Sequence, residues 1–571
     1  MVLLTMGNLP VFEARQGKAR QGTYSTPRSP ITLCMSTSFS HHVRKLRALV
    51  QHFDASSNAY KLVVLQRISV CDLMPTRSLI AYGELLLFLQ AYPPDRALFN
   101  AAKRERSRVS RWLARSGNGS RKALENSALP HTSSVSTFSI DQIKWLLNER
   151  GCHIGIERFE NTEFDLNQVL AATLPTLERH ETTAGSDNME LIDSLTGGRV
   201  DPLRFLVAEL DRSSAGPLVK DLLFDGLGLY VRITPRNRTF SKAYNALPIP
   251  RPFFHNEILK RFEAATLLDE PLPSPTPLTA RELQRTIRVV KLSMVLTDRE
   301  TDPVTYLDER SFRYYSLGRG ISIAIYGMLP TRQLALESYI GYTLFKNGIP
   351  AAYGGAWVFG RRADIGINIF EAFRGGESGY LLCQVLRVYR QVFKISCFEV
   401  EPYQFGLDNP DGIATGAFWF YHKYGFRPTD PKLLALSEAE VKKRMARKGY
   451  RTSARVLERF TQGNLVLAMD HREHPGVYAL AGLVKELILT RYKGDRTRAI
   501  AESTRNFRTR TGMRKGANAD GEHVLQEVAL WAEASNEKEP TRLDLMVQMI
   551  RTKPSDPYRY QQLLLRYFEG T

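Results

Sequence analysis

Residues 369–393 have the sequence IFEAFRGGESGYLLCQVLRVYRQVF, in which an apolar run ends in Arg374, Gly375 and Gly376. An amphipathic pattern with helical spacing follows at once over 378–393. Glycine lets backbone approach a ligand closely, and the first N–H groups of a helix have no intrahelical partner. A turn of this kind can hold an anion, and it can equally be a plain connector. The stretch therefore predicts a strand, a glycine turn and a helix.

Strands are predicted before this turn. Residues 320–328 form a compact β-run, and residues 339–370 have the pattern of three consecutive antiparallel strands. The pair Asn347-Gly348 is a strong hairpin signal, because a type I′ turn requires positive φ at both central residues. Gly360-Arg361-Arg362 supplies the next turn. The pattern indicates an antiparallel sheet that leads into the glycine turn.

A further strand and helix are predicted after the turn. Residues 395–405 alternate as a strand, and a helix is predicted over 410–424. Asn409 is a good N-cap residue, Pro410 suits the first helical position, and Gly425 suits the position after the helix. The inward stripe of this helix places Tyr421 against the sheet. The predicted fold class is α/β (α+β), with a mixed, largely antiparallel sheet flanked by helices.

The remaining chain has mainly helical patterns. The proline-rich stretch 269–278 is predicted as a stiff spacer at a domain boundary, and Ser437-x-x-Glu440 as a capping box. The first forty residues fit a transit peptide or a start codon at Met35 equally well. The predicted regions are a disordered or mis-called extension (1–41), a helical region with loops at 116–139 and 180–198 (42–268), an α/β domain (279–428) and a basic helical region (429–571).

Composition limits the classes of partner and compartment. The 571 residues include 78 Lys and Arg against 59 Asp and Glu, a formal net charge of +19, which favours anionic partners such as nucleic acid. The cysteines lie far apart without metal-ligand spacing, which predicts a reducing, cytoplasmic location and no structural zinc. No stretch of 18 apolar residues occurs, so no transmembrane segment is predicted.

Residues 339–428 resemble the core of the GCN5-related N-acetyltransferase (GNAT) superfamily. The resemblance consists of three meandering strands, a glycine turn, a helix, a strand and then N-x(11)-Y-x-K-x-G-F, which begins here at Asn409. In that family the turn has the pattern [Q/R]-x-x-G-x-[G/A], and backbone amides there hold the pyrophosphate of acetyl-coenzyme A. This chain has Arg374-Gly375-Gly376-Glu377-Ser378-Gly379. The first and last positions match, and Glu377 stands at the middle glycine position.

The resemblance implies an acyltransferase that moves an acyl group from acetyl-coenzyme A, or another acyl-coenzyme A, to a small-molecule or peptide amine, without a metal. The residues that it implies for donor binding are Arg374, Gly375, Gly376, Ser378, Gly379 and Asn409. It also implies that Tyr421 protonates the leaving thiolate. The alternative for Asn409 is a helix cap alone, and the alternative for Tyr421 is a core aromatic.

A base is needed to accept a proton from the amine. Glu371, at the end of the third strand, is the first candidate, and Glu399 and Glu401 are the second. Their pKa values would rise by burial and mutual repulsion if their shared face is covered. Glu377 would repel a diphosphate, so either its side chain points away or the donor is different, as in aminoacyl-tRNA-dependent relatives. A nucleic-acid-associated protein on a degenerate scaffold is the alternative function.

Overall fold

The computed structural model describes residues 30–182, 187–470, 472–513 and 521–569. The chain forms two compact units. Unit 1 contains the residues up to Glu257 together with Gln284–Thr301 and Asn347–Ile349. Unit 2 contains Ile258–Leu283, Asp302–Lys346 and the chain from Pro350 onwards. The predicted domain boundaries around 269–278 and at 428 do not coincide with this division.

Unit 1 combines helices with a small antiparallel sheet of three strands, β1 (Ser134–Ser136), β2 (Cys152–Phe159) and β3 (Leu229–Pro235), in the order β1-β3-β2. Its core includes the buried side chains Ile154 of β2 and Val231 and Ile233 of β3. Its elements are α1 (Pro30–Leu49), α2 (Ala55–Ser69), α3 (Arg77–Ala91), α4 (Arg96–Arg115), α5 (Asn118–Lys122), β1 (Ser134–Ser136), α6 (Ile140–Asn148), β2 (Cys152–Phe159), α7 (Leu166–Thr173), α8 (Asn188–Thr196), α9 (Pro202–Arg212), α10 (Pro217–Gly226) and β3 (Leu229–Pro235).

Several segments of unit 1 differ from the predictions. The segment 116–139, predicted as a loop, contains α5 and β1, and the segment 180–198 contains α8. Their few apolar side chains are used for packing, since Phe138 and Leu191 are buried. Helix α1 begins at Pro30, inside the predicted N-terminal extension, and residues 1–29 of that extension lie outside the described residues.

Unit 2 is built around the larger sheet. Helix α12 (Ala280–Val295) begins in unit 2 and continues from Gln284 in unit 1. The elements of unit 2, with α12 included in chain order, are α11 (Ala264–Asp269), α12 (Ala280–Val295), α13 (Asp302–Thr305), β4 (Arg313–Ser316), β5 (Ile321–Tyr326), β6 (Ser338–Lys346), β7 (Ile349–Phe359), β8 (Arg362–Ile369), α14 (Ser378–Phe393), β9 (Cys397–Val400), α15 (Pro410–Thr415), α16 (Ala417–Lys423), β10 (Arg427–Pro428), α17 (Pro431–Ala446), α18 (Ala454–Phe460), β11 (Leu465–Ala468), α19 (Val477–Thr490), α20 (Arg496–Thr511), α21 (Glu522–Ala534), α22 (Pro540–Thr552) and α23 (Pro557–Glu569).

The larger sheet has the strand order β10-β11-β9-β8-β7-β6-β5-β4. Strands β8 and β9 pair in parallel, whereas β7 pairs with β8, and β9 with β11, in antiparallel fashion. A parallel pair needs a crossover connection, and α14 provides it between β8 and β9. The predicted α/β (α+β) fold class, with a largely antiparallel sheet flanked by helices, is confirmed.

Helices flank this sheet by specific contacts. The hydroxyl of Tyr389 on α14 donates a hydrogen bond to the Ile340 carbonyl of β6 at 2.6 Å. The C-terminal helices form a further core with Phe359 of β7, which contacts the rings of Trp531 and Phe568. Among the described residues, no helix has both the length and the apolar composition needed to cross a bilayer.

Two local predictions after the sheet are wrong. The helix predicted over 410–424 is interrupted at Gly416, whose φ of 68° ends α15 before α16 begins. Glycine takes this left-handed conformation without steric cost, so the sequence allows a break that the apolar stripe does not show. The predicted capping box is also wrong, because Asp430 caps α17 and Ser437 and Glu440 lie buried inside that helix.

Candidate functional site

The sheet opens between β8 and β9. Their parallel pairing runs from Arg362 opposite Cys397 to Asp364 opposite Glu399 and stops there, although β8 continues to Ile369. The side chain of Gln404 lies beside the unpaired part of β8. A Cβ built on Gly366 would be 2.9 Å from Gln404 Nε2. Ligands of α/β proteins commonly bind where parallel strands diverge at their carboxyl ends, so this opening is the candidate site.

The glycine turn lies at the carboxyl end of β8. Gly375 has a φ of 75°, which glycine adopts without strain, and the exposed Arg374 donates from Nε to the Ile369 carbonyl at 3.3 Å. Ser378 begins α14. Gly379 has a packing role, because a Cβ there would be 1.6 Å from the Tyr424 hydroxyl oxygen. Glycine at 379 is thus explained by close contact with Tyr424, without any ligand.

Glu377 does not face the turn as an isolated charge. Its two carboxylate oxygens accept hydrogen bonds from Lys346 Nζ and from Arg319 Nη2, each at 2.7 Å, and Leu259 N–H donates to it at 3.0 Å. Burial would raise the pKa of Glu377, but Lys346 and Arg319 outweigh it and hold that pKa below its ordinary value. Its side chain makes no capping hydrogen bond to the start of α14. The carboxylate is neutralised within the protein.

Tyr421 and Asn409 are both built into the fold. Tyr421 is buried, its hydroxyl donates to Gln404 Oε1 at a long 3.5 Å, and burial raises its pKa well above the ordinary value. Asn409 is the N-cap of α15, as predicted. Its Oδ1 accepts from Gly412 N–H at 3.3 Å and its Nδ2 donates to the Tyr403 carbonyl at 3.0 Å. The opening thus has a protonated phenol on the Gln404 side.

A pair of carboxyl groups, Asp364 and Glu401, lies at the same opening. Burial, followed by the charge of Glu401 and a hydrogen bond to it, raises the pKa of Asp364 well above its ordinary value. A neighbouring carboxyl group favours the protonated form of Asp364, because two negative charges at short range repel each other. Glu399 is held separately by Arg362 and by Asn464 Nδ2. Glu399 lies in β9, and Glu401 follows the end of that strand at Val400.

No pattern in the sequence identifies Asp364 as a site residue. It stands alone in the third strand, and its position opposite both Trp357 on β7 and Glu399 on β9 depends on strand register. The register of two parallel strands is set by the crossover connection between them. The local alternation of apolar and polar residues does not determine it. The ring of Tyr339 stacks on Trp357 at 4.1 Å, and the pKa of Tyr339 is raised by burial first and then by the charges of Asp302 and Asp364. The acid pair therefore has an aromatic wall.

Glu371, the first candidate for the base, is exposed and begins a short 3-10 helix over Glu371–Phe373. It lies on the chain between β8 and the glycine turn. Its catalytic role stays a prediction. Among the described residues, no group of three or more His, Cys, Asp or Glu side chains is arranged to hold a metal ion.

Comparisons of the chain with protein-family models, with curated proteins and with solved structures found no match.

Proposed function

We propose that the chain is a GNAT-like N-acyltransferase that uses the opening between β8 and β9. The observation that carries the proposal is the pair of interacting carboxyl groups, Asp364 and Glu401, at a point where parallel strands diverge. The buried hydroxyl of Tyr421 is connected to the same opening, because it donates a hydrogen bond to Gln404. The order of the elements, from β6 through the glycine turn and α14 to α16, is the order on which the GNAT resemblance rests.

The start of α14 fits an anionic group. Its N-cap residue, Glu377, makes no capping hydrogen bond, so no side chain at that position serves the first N–H groups. Lys260 follows Leu259, whose N–H donates to Glu377, and Lys423 precedes Tyr424, which packs against Gly379. Both lysines are exposed, Lys423 Nζ donates to the Lys260 carbonyl at 3.4 Å, and Arg374 stands in the turn itself. These residues, with Gly375 and Gly376, would hold the diphosphate of an acyl-coenzyme A.

A bound acyl-coenzyme A would supply an activated acyl carbon. The residues of this chain would accept and donate the protons. The carboxyl pair of Asp364 and Glu401 would accept a proton from the attacking amine as the nitrogen–carbon bond forms. Tyr421 holds a proton at its phenol oxygen, because its raised pKa keeps the phenol neutral, and can donate it to the departing sulfur. In this proposal Asp364 takes the role that the sequence assigned first to Glu371.

The proposal is tested by acetyl transfer from acetyl-coenzyme A to a panel of small amines and amine-bearing peptides, followed as release of free thiol. Asp364→Asn should lower turnover by about 10²-fold or more. Asp544→Asn is the matched control, since it makes the same chemical change at an exposed position of α22 in the same unit. Transfer by the parent that Asp364→Asn leaves intact would remove the acid pair from the mechanism, and no transfer by the parent would remove the function.

A cytoplasmic location belongs to the same proposal. Cys71, Cys152, Cys383 and Cys397 are free thiols, which suits a reducing compartment.

A further inference from the structure

A dense group of cations lies at the end of α17, in the following loop and on α18. Residues 442–459 contain eight cationic side chains against one acid, Glu458. All eight cations are exposed. We call this group the cationic ridge, and its members are Lys442, Lys443, Arg444, Arg447, Lys448, Arg451, Arg455 and Arg459.

The loop of the cationic ridge is tied to its surroundings. Tyr450 donates its hydroxyl to Glu440 Oε2 on α17 at 2.9 Å. Trp419 of α16 donates from Nε1 to Thr452 Oγ1 at 3.1 Å, and the guanidinium of Arg444 lies 4.4 Å from the centre of the Trp419 ring. Because these contacts fold the loop back onto α16 and α17, the cations of the helix end and of the loop share one surface.

The cations of the ridge are poorly matched by acids. Lys443 pairs with Glu440 at 2.8 Å. Within the described ranges, no ion pair is formed by the other lysines or by the arginines after Arg444: Lys442, Arg447, Lys448, Arg451, Arg455 and Arg459.

Other arginines of unit 2 are paired, and Arg491 and Arg510, for example, share Glu533. Clustered like charges repel one another, so the cationic ridge is unfavourable for the chain unless an anion covers it.

We infer that the cationic ridge binds the phosphate backbone of a nucleic acid, without reading its sequence. Five of its eight cations are arginines, whose planar guanidinium groups bind phosphate oxygens in pairs. A membrane surface fits less well, because interfacial helices insert an apolar face. Met445 is the exposed large apolar side chain of this segment. The inference is independent of the acyltransferase proposal and is tested by binding alone.

The test compares two variants of the full chain that lose the same charge. The ridge variant carries R447Q, K448Q, R451Q and R455Q. The control carries K103Q, R104Q, R111Q and R115Q, which neutralise exposed cations of α4. Every substituted side chain is exposed, so both variants should keep the thermal unfolding midpoint of the parent within a few degrees.

The probe is a fluorescein-labelled oligouridine of about 20 nucleotides, long enough to cover several phosphate contacts. Its Kd is measured by anisotropy across a salt series. The slope of log Kd against log salt should be shallower by about 3 in the ridge variant, from about 0.7 per lost contact with a single strand. The control should keep the parent slope.

Three results would overturn the inference. The first is an equal loss of slope in both variants, which would assign binding to net charge. The second is no binding of oligouridine by the parent. The third is binding of the parent to phosphatidylserine vesicles but not to the RNA, which would assign the ridge to a membrane.

Discussion

Glu377 Oε2 lies 2.7 Å from Lys346 Nζ, and both side chains are fully buried. Arg319 Nη2 forms an ion pair with the other carboxylate oxygen of Glu377. The acid that departs from the GNAT turn pattern is therefore one end of an internal ion-pair network, at the N-cap of α14. The network ties the start of α14 to β6, whose last residue is Lys346.

Removing the charge of Glu377 should destabilise the protein. Glu377→Gln leaves the ammonium of Lys346 buried without its counter-ion, and breaking a buried pair in this way costs about 3 to 5 kcal/mol in the free energy of unfolding. Urea denaturation measures the change. Glu371→Gln, in the same connection but exposed, should change the free energy by less than about 0.5 kcal/mol. Equal effects of the two substitutions would contradict a structural role for the ion pair.

Asp364 should destabilise the fold as the pH rises. Its pKa in the folded protein lies above the ordinary value of 3.8, so the folded state holds the proton more tightly than the unfolded chain. Stability from this group is present below about pH 4 and is lost as the pH rises through the raised pKa.

Asp364→Asn cannot ionise and keeps a donor towards Glu401. Near neutral pH the substitution should regain the folding free energy that ionisation of Asp364 costs. Each kcal/mol regained should raise the thermal unfolding midpoint by about 2 to 4 °C. The gain should disappear towards pH 4. A gain that does not depend on pH would show that ionisation of Asp364 is not its source.

Tyr421→Phe separates catalysis from packing. The substitution keeps the buried ring and removes a hydroxyl whose hydrogen bond to Gln404 is long, so the unfolding free energy should change by about 1 kcal/mol or less. Turnover in acyl transfer should fall by about 10²- to 10⁴-fold while donor affinity stays constant. Steady-state kinetics and calorimetric titration with coenzyme A measure the two quantities. Unchanged turnover would leave Tyr421 as a core aromatic.

Arg374→Gln should weaken coenzyme A binding by about 5- to 10-fold, because it removes a cation from the turn at the start of α14. Lys394→Gln is the matched control, since it removes an exposed cation at the other end of the same helix. Calorimetric titration of both variants decides the point. A weaker affinity in the Lys394 variant, or in neither, would place the donor elsewhere.

Short-range sequence patterns predicted the secondary structure around the site. The hairpin at Asn347 and Gly348, with φ values of 47° and 77°, follows from turn chemistry. The helix over 378–393 agrees with α14 because its apolar stripe and its glycine start point to the same bounds. Asn409 is the predicted cap. In each case the decisive interactions join residues close in the chain.

The rest of the site depends on contacts between distant residues. The partners of Glu377 include Lys346 and Arg319, and neither pairing leaves a pattern in the sequence around residue 377. The pKa of Asp364 depends on Glu401, which comes from a different strand end. Gly416 lies within an apolar stripe that continues from 410 to 424, and that stripe carries no signal for the left-handed φ of 68° at which α15 ends.

Hydrogen–deuterium exchange of the parent with and without coenzyme A tests the central claim most directly. Binding at the opening should slow exchange of the backbone amides at 374–380, where the glycine turn meets α14, and should leave the C-terminal helices unchanged. Saturable protection at these amides, weakened in Arg374→Gln, is the predicted result. Protection confined to another part of the chain, or no protection at saturating coenzyme A, would contradict the proposed donor site.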